Sequence, residues 1–563
     1  MSTIIKTKYL ILGAGPAGLQ MGYFMEKGQQ DYIILEKENS AGAFYKTQPV
    51  HRKLLSINKK HNFFEEEEFN ERQDWNSLLC DDKAMKFPNY SDELFPNADD
   101  LVTYLEDFSS FYKLNIRYNV EAKHIEKIQD NQFRVTTSDG DVYEGEVLLL
   151  GLGAVSALTP DDIEGIELTT AYEEQSINLD DYKNKRVAII GAGNSAFETA
   201  NYLSPVAGFV HVLCRNPPRF AWETHFPGDI RAVNNDIFDM YQLKSLHAVL
   251  NPNLKKVVKL PNGNLQTHHE YDYPDSKVPG TLKLTREYDC IIRCTGWRWV
   301  NQSLFSPDII PETKKNGKFP VMNDSWESVN ISDMFFIGAA MQGNDRKSAS
   351  GFIHGFRYNI RTLYHLLMER YESVDYPSVN YDPFVWNDFV KYLYDRLSMS
   401  AGLYQLFGNL GDLLIFSEDK KHARYYKELP LSYMPKVIPE EQHVLSISLE
   451  FGFHRYSESS LSFLGPSDPN DTEKAAFLHP VIRHHYQGNV QEFHFGDSLL
   501  ARWDLPHGDG GAVVSYHLDF QKWIKKVIGL DIDIPKAIEG GPFHRWPTIT
   551  APTVNEEPEK EIM

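Results

Sequence analysis

The sequence predicts an α/β chain with two nested Rossmann-like dinucleotide-binding domains and a C-terminal α+β extension. Three observations predict it. Two strand–glycine turn–helix units begin at Tyr9 and at Arg186. Apolar strands ending in glycine, Val147–Gly151 and Asp289–Gly296, read as crossovers that leave the first unit and return to it. From Glu372 the composition changes, with Pro377, Pro383 and several tyrosines marking a boundary. On this reading residues 1–160 and 288–371 form the first nucleotide domain and 161–287 the second. Residues 372–546 form the extension, and 547–563, rich in Pro, Glu and Lys, form a disordered tail.

The first unit opens on Tyr9-Leu10-Ile11-Leu12, four apolar residues that read as a buried parallel strand. Gly13, Gly15 and Gly18 follow at fingerprint spacing. The first permits the tight turn, the second lets backbone approach a pyrophosphate, and the third lets helix pack on strand. Pro16 and Ala17 lie within the turn, and the helix behind it carries Leu19, Met21, Phe24 and Met25. A second strand, Tyr32–Leu35, ends at Glu36, where an acid bonds the ribose hydroxyls of an adenine dinucleotide. Lys37 and Phe44, just beyond, are assigned to the same FAD site. Asp99 and Asp100 open a helix. Short strands follow at Ile116–Tyr118, Phe133–Thr136 and Val142–Glu144, the last two paired through Ser138-Asp139-Gly140. Val147–Leu150 then reads as a further strand, ending at Gly151.

The stretch from Pro160 to Lys185 is acidic and loop-like. Arg186–Ile190 is the second nucleotide strand, and Gly191, Gly193, Asn194, Ser195 and Ala196 form its turn. Ala196 stands where a third glycine is usual. The next strand, Val210–Cys214, ends at Arg215 where the first unit has Glu36. An arginine there accommodates a 2′-phosphate, so NADPH is the expected nucleotide. Thr295 and Gly296 belong to the NADPH site or to the return crossover. Met334–Ile337 is a strand ending at Gly338, and Ser350, Gly351 and Phe352 open a helix that runs to about Tyr371. In the extension, Phe384–Leu397 and Leu403–Leu414 read as helices. Val444–Phe453, Phe493–Phe495 and Val513–His517 alternate as strands do.

Composition narrows the function. At 563 residues the chain exceeds one core. A formal net charge of −21 disfavours nucleic acid and anionic membrane as partners. No apolar run is long enough to span a bilayer. Four cysteines fit a reducing compartment without a disulfide framework. The first strand starts within ten residues, leaving no room for a signal peptide, so a cytoplasmic location is expected. A small-molecule substrate and molecular oxygen are the expected partners, in a monomer or a homodimer.

Longer runs carry a resemblance. They are Leu12–Tyr23, His51–Lys60, Asp74–Leu79, Gly193–Ala200, Trp222–Leu246, Arg346–Tyr358 and Phe477–Pro480. The layout resembles class B flavin-dependent monooxygenases. The runs are more similar to the FAD-dependent oxidoreductase domain-containing flavoproteins, whose animal member is an endoplasmic-reticulum flavoprotein linked to ER-associated degradation. The chain ends Lys560-Glu561-Ile562-Met563 rather than in a retention signal, so the resemblance implies a soluble relative without the ER role. The class B fingerprint of phenylalanine, glycine and histidine is not visible between Ile163 and Lys185. Gly338 is followed by Ala339, as in several monooxygenases, where many reductases carry an aspartate.

The resemblance implies an NADPH-dependent monooxygenase. Reduced FAD would take up oxygen at C4a, and the resulting hydroperoxide would transfer oxygen to a small organic substrate, with the C-terminal region shaping the pocket. Asn58 occupies the place of an asparagine that faces the flavin in such enzymes, and Arg52 and Lys53 would balance anionic reduced flavin. The helix opening at Gly351 would point its positive end at the flavin pyrimidine edge, with Arg346 and Lys347 adding positive potential. The alternative is a redox partner or NADPH-gated binding protein with slow oxidase activity. Dithiol–disulfide exchange is disfavoured. Cys290 and Cys294 on one strand lie roughly 13 Å apart, whereas a disulfide needs about 7 Å or less. Histidines 479, 484, 485, 494 and 507 show no ligand spacing, so no metal is expected.

Overall fold

A computed structural model of the chain describes residues 3–61, 66–129, 132–224, 226–242, 245–272, 281–451, 477–496, 498, 501–504 and 515–538. The first nucleotide strand, Ile4–Leu12, sits in a seven-stranded sheet between Tyr32–Leu35 and Val142–Leu150, pairing parallel with both. The strands expected separately at 142–144 and 147–150 are one, Val142–Leu150. Glu144 and Glu146 interrupt its apolar pattern in the sequence. Its first half pairs antiparallel with Gln132–Thr137, while its second half meets Met334–Phe336 in parallel. A side chain at Gly145 would press Leu10 at 2.9 Å, so the strand crosses the core there without one.

The second nucleotide fold is a five-stranded parallel sheet in the order Ala248–Leu250, Phe209–Leu213, Arg186–Ile190, Cys290–Arg293, Thr170–Ala171. This corrects a boundary. Cys290–Arg293 was expected in the first domain, but it pairs with Arg186–Ile190, so the chain leaves the second fold only after Arg293. A three-stranded antiparallel meander, Asn253–Lys259, Leu265–Asp272 and Thr281–Tyr288, is inserted before it.

The extension is a six-stranded antiparallel sheet packed against the helices Trp386–Met399 and Ser515–Ile528. Two expectations fail there. The helix expected over Leu403–Leu414 stops at Gln405, the chain turns through Gly408 at φ +68°, and Leu410–Phe416 is a strand. Its leucines bury on both sheet faces, which mimics a buried helix in the sequence. His517, expected in a strand, lies in the helix Ser515–Ile528. The tail at 547–563 falls outside the described residues.

A buried ionic network seats this sheet on the first domain. Arg396 reaches Asp412 and Glu428 at 2.8 Å and Glu68 at 2.5 Å. Arg72 donates to the carbonyls of Leu397, Ser400 and Ala501. Every nitrogen of both guanidinium groups has an acceptor, which is what allows such charges to stay buried.

Candidate active site

Three helices decide the site. Pro16–Lys27, Asn194–Leu203 and Ile353–Glu372 all begin without a side-chain cap. Elsewhere Asn97 caps Ala98–Phe111 and Ser400 caps Ala401–Gln405. A helix start without a cap leaves N–H groups and a positive dipole end for a ligand. The residues opening all three helices line one cavity of about 1850 Å³. Single small ligands occupy roughly 300–1,000 Å³, so this space admits more than one.

The first turn fits an adenine dinucleotide. Gly13 is at φ +100°, and a side chain there would meet the Gly151 carbonyl at 2.6 Å. A side chain at Gly18 would strike the Gly13 carbonyl at 1.9 Å, so Gly18 is used for packing and does not line the cavity. A Cβ at Gly15 would meet nothing within 4 Å. That empty direction, on the cavity wall at a helix start, is the cradle a pyrophosphate needs. Pro16, Ala17, Lys37, Phe44, Gly151 and Gly338 line the same cavity. Glu36 is buried on its edge, where Oε2 accepts the Ala14 N–H at 2.7 Å and Oε1 the Glu38 N–H at 3.0 Å. These bonds fix the carboxylate at the cavity edge.

The second turn repeats the device. A Cβ on Gly191 would lie 2.2 Å from the Cys294 carbonyl, whereas one on Gly193 would meet nothing. Ser195, Thr295 and Gly296 border the cavity, and Ala196 is packed in the core behind it. Asn194 has a structural task. Its Oδ1 accepts the Arg231 N–H and the Asn234 Nδ2 amide at 3.0 Å, and its Nδ2 donates to the Asp229 carbonyl at 2.9 Å. Arg215 lines the cavity with its guanidinium on Asp162, Nη2 to Oδ1 and Oδ2 at 2.9 and 2.8 Å. That hydrogen bond holds the Asp162 carboxyl below its usual range.

Five residues expected at the flavin do not line the cavity. Asn58 is buried away from the cavity, its Nδ2 donating to the carbonyls of Ser91 and Glu93 at 2.8 and 3.4 Å. Leu54, Leu55 and Ser56 of the same run line the cavity instead. Arg52 gives its guanidinium to Asp99 at 2.5 Å, and neither it nor Lys53 reaches the wall. Ser350 is enclosed between Asp345, which accepts from its hydroxyl at 2.6 Å, and the Asn359 amide, which donates to it at 2.9 Å. Gly351 and Phe352 do border the cavity, and so does Arg346, whereas Lys347 does not. Among the described residues of the C-terminal region none lines the cavity, whose last lining residue is Phe356.

Sequence reasoning missed an aromatic stack on this wall. Trp75 lies face to face with His354 at 4.0 Å between centroids, with the Arg231 guanidinium 4.8 Å from the Trp75 ring. Phe352 continues the stack at 5.7 Å, and Phe226 meets Phe352 edge-on. Burial, with Arg357 and Arg231 nearby, drives the His354 pKa well down, so the ring is neutral. A second missed pair is Glu198 and Tyr172. The Tyr172 hydroxyl donates to the Glu198 carboxyl, and burial pushes that carboxyl up to about 7. The signal was present: these residues fall mainly in the runs at 74–79, 193–200, 222–246 and 346–358, which the fold brings together around one cavity.

All four cysteines are free thiols. Only Cys294 borders the cavity, and burial raises its pKa far above neutrality. Among the described residues no group of three or more His, Cys, Asp or Glu could hold a metal ion. No helix among them is long and apolar enough to cross a membrane.

Residues 10–338 match the pyridine nucleotide-disulphide oxidoreductase family. FAD-dependent oxidoreductase domain-containing protein 2 of Mus musculus is 35% identical over 536 residues, covering 88% of this chain and 78% of that relative. The protein of the same name from Danio rerio is 33% identical over 529 residues, covering 84% and 75%. The solved bacillithiol disulfide reductase of Staphylococcus aureus is 20% identical, with 65% of this chain and 99% of that one covered at a TM-score of 0.50. That likeness is one of fold.

Proposed function

The chain belongs to the FAD-dependent oxidoreductases of the pyridine nucleotide-disulphide oxidoreductase family, and on that premise we propose that it is an NADPH-using monooxygenase acting on a small organic substrate. One observation carries the reading: two glycine turns open on one cavity walled by aromatic rings, with no dithiol beside it to receive electrons. A reductase that passes electrons through a redox-active cysteine pair would need that pair beside the flavin, and here three of the four cysteines lie off the cavity.

The chain's own residues then have definite tasks. The turn from Gly13 to Ala17 and the first N–H groups of Pro16–Lys27 hold the FAD pyrophosphate, and Glu36 accepts from the ribose hydroxyls. The start of Asn194–Leu203 holds the NADPH pyrophosphate, with Arg215 for the 2′-phosphate. The end of Ile353–Glu372 that borders the cavity presents a positive dipole to negative charge. The stack of Trp75, His354 and Phe352 supplies a dry wall, which strengthens every polar contact inside and keeps water from the reacting atoms. When bound, FAD supplies the redox chemistry, taking two electrons from the nicotinamide and delivering them to dioxygen. The balance is NADPH, a proton, O₂ and substrate giving NADP⁺, water and substrate carrying one oxygen atom.

The test is turnover of the holoprotein under ¹⁸O₂ with a panel of small amines, thioethers and ketones. The reading expects one acceptor to accelerate NADPH oxidation and to carry one labelled atom. If all the consumed oxygen is recovered as hydrogen peroxide with every acceptor, the oxygenase reading falls and the redox-partner reading replaces it.

A further inference from the structure

We infer that a cationic wall on the linker between the two nucleotide folds is a subsite for an anionic group, a carboxylate or phosphate, on a ligand that enters between the folds. It rests on the nucleotide-cavity reading but not on oxygen transfer.

The wall is built on a small hairpin, Thr313–Lys314 paired with Phe319–Pro320. Phe319 is fully buried, and three cations gather around its ring. Arg346 Cζ is 5.2 Å from the ring centroid, Lys318 Nζ 5.4 Å and Lys315 Nζ 6.0 Å. Arg298 joins them from the strand Trp297–Arg298, which pairs with Ser156–Ala157 where the chain passes between the folds. A Cβ on Gly317 would lie 2.9 Å from Arg298 Nη1, and one on Gly296 would lie 3.4 Å from Lys318 Nζ. All four cations line the cavity.

Other cations on the cavity wall have acids. Lys46 pairs with Glu106 at 3.1 Å, Arg215 with Asp162, and Lys37 sits 3.8 Å from Glu38. Among the described residues, Arg298, Lys315, Lys318 and Arg346 have no ion pair and no side-chain hydrogen bond. The chain has 78 acidic residues against 57 Lys and Arg, so acids are not scarce. The two acids whose charge reaches Arg346 are engaged elsewhere. Asp229 accepts from Thr224 at 2.8 Å and faces Arg219 at 3.6 Å. Asp345 accepts the N–H groups of Lys347 and Ser348 and the hydroxyls of Ser348 and Ser350. The cations therefore repel one another. Burial lowers the Lys318 pKa, and the charges of Arg346 and Lys315 lower it further. Gathered like charges on a cavity wall are unfavourable until an anion settles among them, and charge-assisted bonds to guanidinium and ammonium are then the strong kind. Beside them Phe226, 5.7 Å from the Arg346 guanidinium, offers a flat apolar surface. The fitting ligand thus pairs an anionic end with a flat apolar body.

Such an anion comes from one of two sources, a substrate carboxylate or a nicotinamide nucleotide phosphate. Titration of the FAD-loaded protein with phenylacetate, phenylacetamide, NADP⁺ and NAD⁺, followed by flavin absorbance, separates them without turnover. The variant is Lys318→Met combined with Arg346→Met, and Lys318→Arg is the charge-keeping control. We expect phenylacetate or NADP⁺ to bind at least about tenfold more weakly to the double variant and nearly as in the parent to Lys318→Arg. Loss confined to phenylacetate assigns the wall to substrate, equal loss of NADP⁺ and NAD⁺ assigns it to the nucleotide pyrophosphate, and loss of NADP⁺ with NAD⁺ unchanged assigns it to the 2′-phosphate in place of Arg215. Neither probe changing, or phenylacetamide weakening equally, overturns the inference. A protein that binds phenylacetate through this wall but never incorporates oxygen would keep the subsite and sink the oxygenase reading.

Discussion

Replacing Arg215 by alanine tests the nucleotide assignment most sharply, because the structure sets both the gain and its offset. A 2′-phosphate beside this guanidinium would form a charge-assisted contact worth about 1.5–3 kcal/mol. The guanidinium is not free, since it must first give up Asp162 at 2.8 Å. Both partners are about half exposed, so releasing that pair costs only about 0–1 kcal/mol. The net preference for NADPH is then about 0.5–3 kcal/mol, roughly 2- to 150-fold in affinity. Arg215→Ala should remove most of it and leave NADH within about twofold. Asp162→Asn should act in the opposite direction, because it frees the guanidinium and removes a negative charge from beside the phosphate. We expect it to tighten NADPH by up to about fivefold. The assay is flavin reduction followed anaerobically in a stopped-flow instrument, with Kd taken from the dependence on NADPH and on NADH. An unchanged NADPH-to-NADH ratio in Arg215→Ala, or no preference in the parent, refutes the reasoning.

Three further outcomes follow from the same cavity. Gly15→Val should yield a folded but colourless protein, since the new side chain enters only the empty space assigned to the pyrophosphate; full flavin absorbance would place FAD elsewhere. Gly351→Val should lower FAD occupancy or its midpoint potential while NADP⁺ binding to the apoprotein persists, because a Cβ there already meets the Gln342 amide at 3.0 Å; unchanged occupancy and potential would show that this helix does not face the flavin. Glu198 is raised by burial to about 7, so its stabilising contribution is full below the ordinary carboxyl range and is lost as pH rises through about 7. Glu198→Gln should therefore flatten the fall in melting temperature between pH 5 and pH 8; an equal fall in both proteins would refute the assignment.

The sequence by itself determined whatever depends on local chain geometry. A glycine turn is legible because backbone must pass close to backbone: Gly13 needs its positive φ and Gly18 cannot carry a Cβ. The acid at Glu36 and the base at Arg215 are legible because a fixed strand length places them at the sheet edge. The pattern misled where long-range pairing took over. Leu410–Phe416 is buried on both faces of a central strand, and its leucines read like a helix. Cys290–Arg293 belongs to the second sheet because its register partner is Arg186–Ile190, more than ninety residues earlier.

Tertiary structure alone decided which side chains of a recognisable run face the cavity. Asn58 and Ser56 stand two residues apart, yet Ser56 borders the cavity and Asn58 turns to the carbonyls of Ser91 and Glu93. Trp75, Arg231 and His354 come from three distant segments and meet only in the fold. No period or spacing along the chain encodes such a meeting. It follows from how two nucleotide folds and their linker pack, and that packing is set by the summed burial of hundreds of side chains.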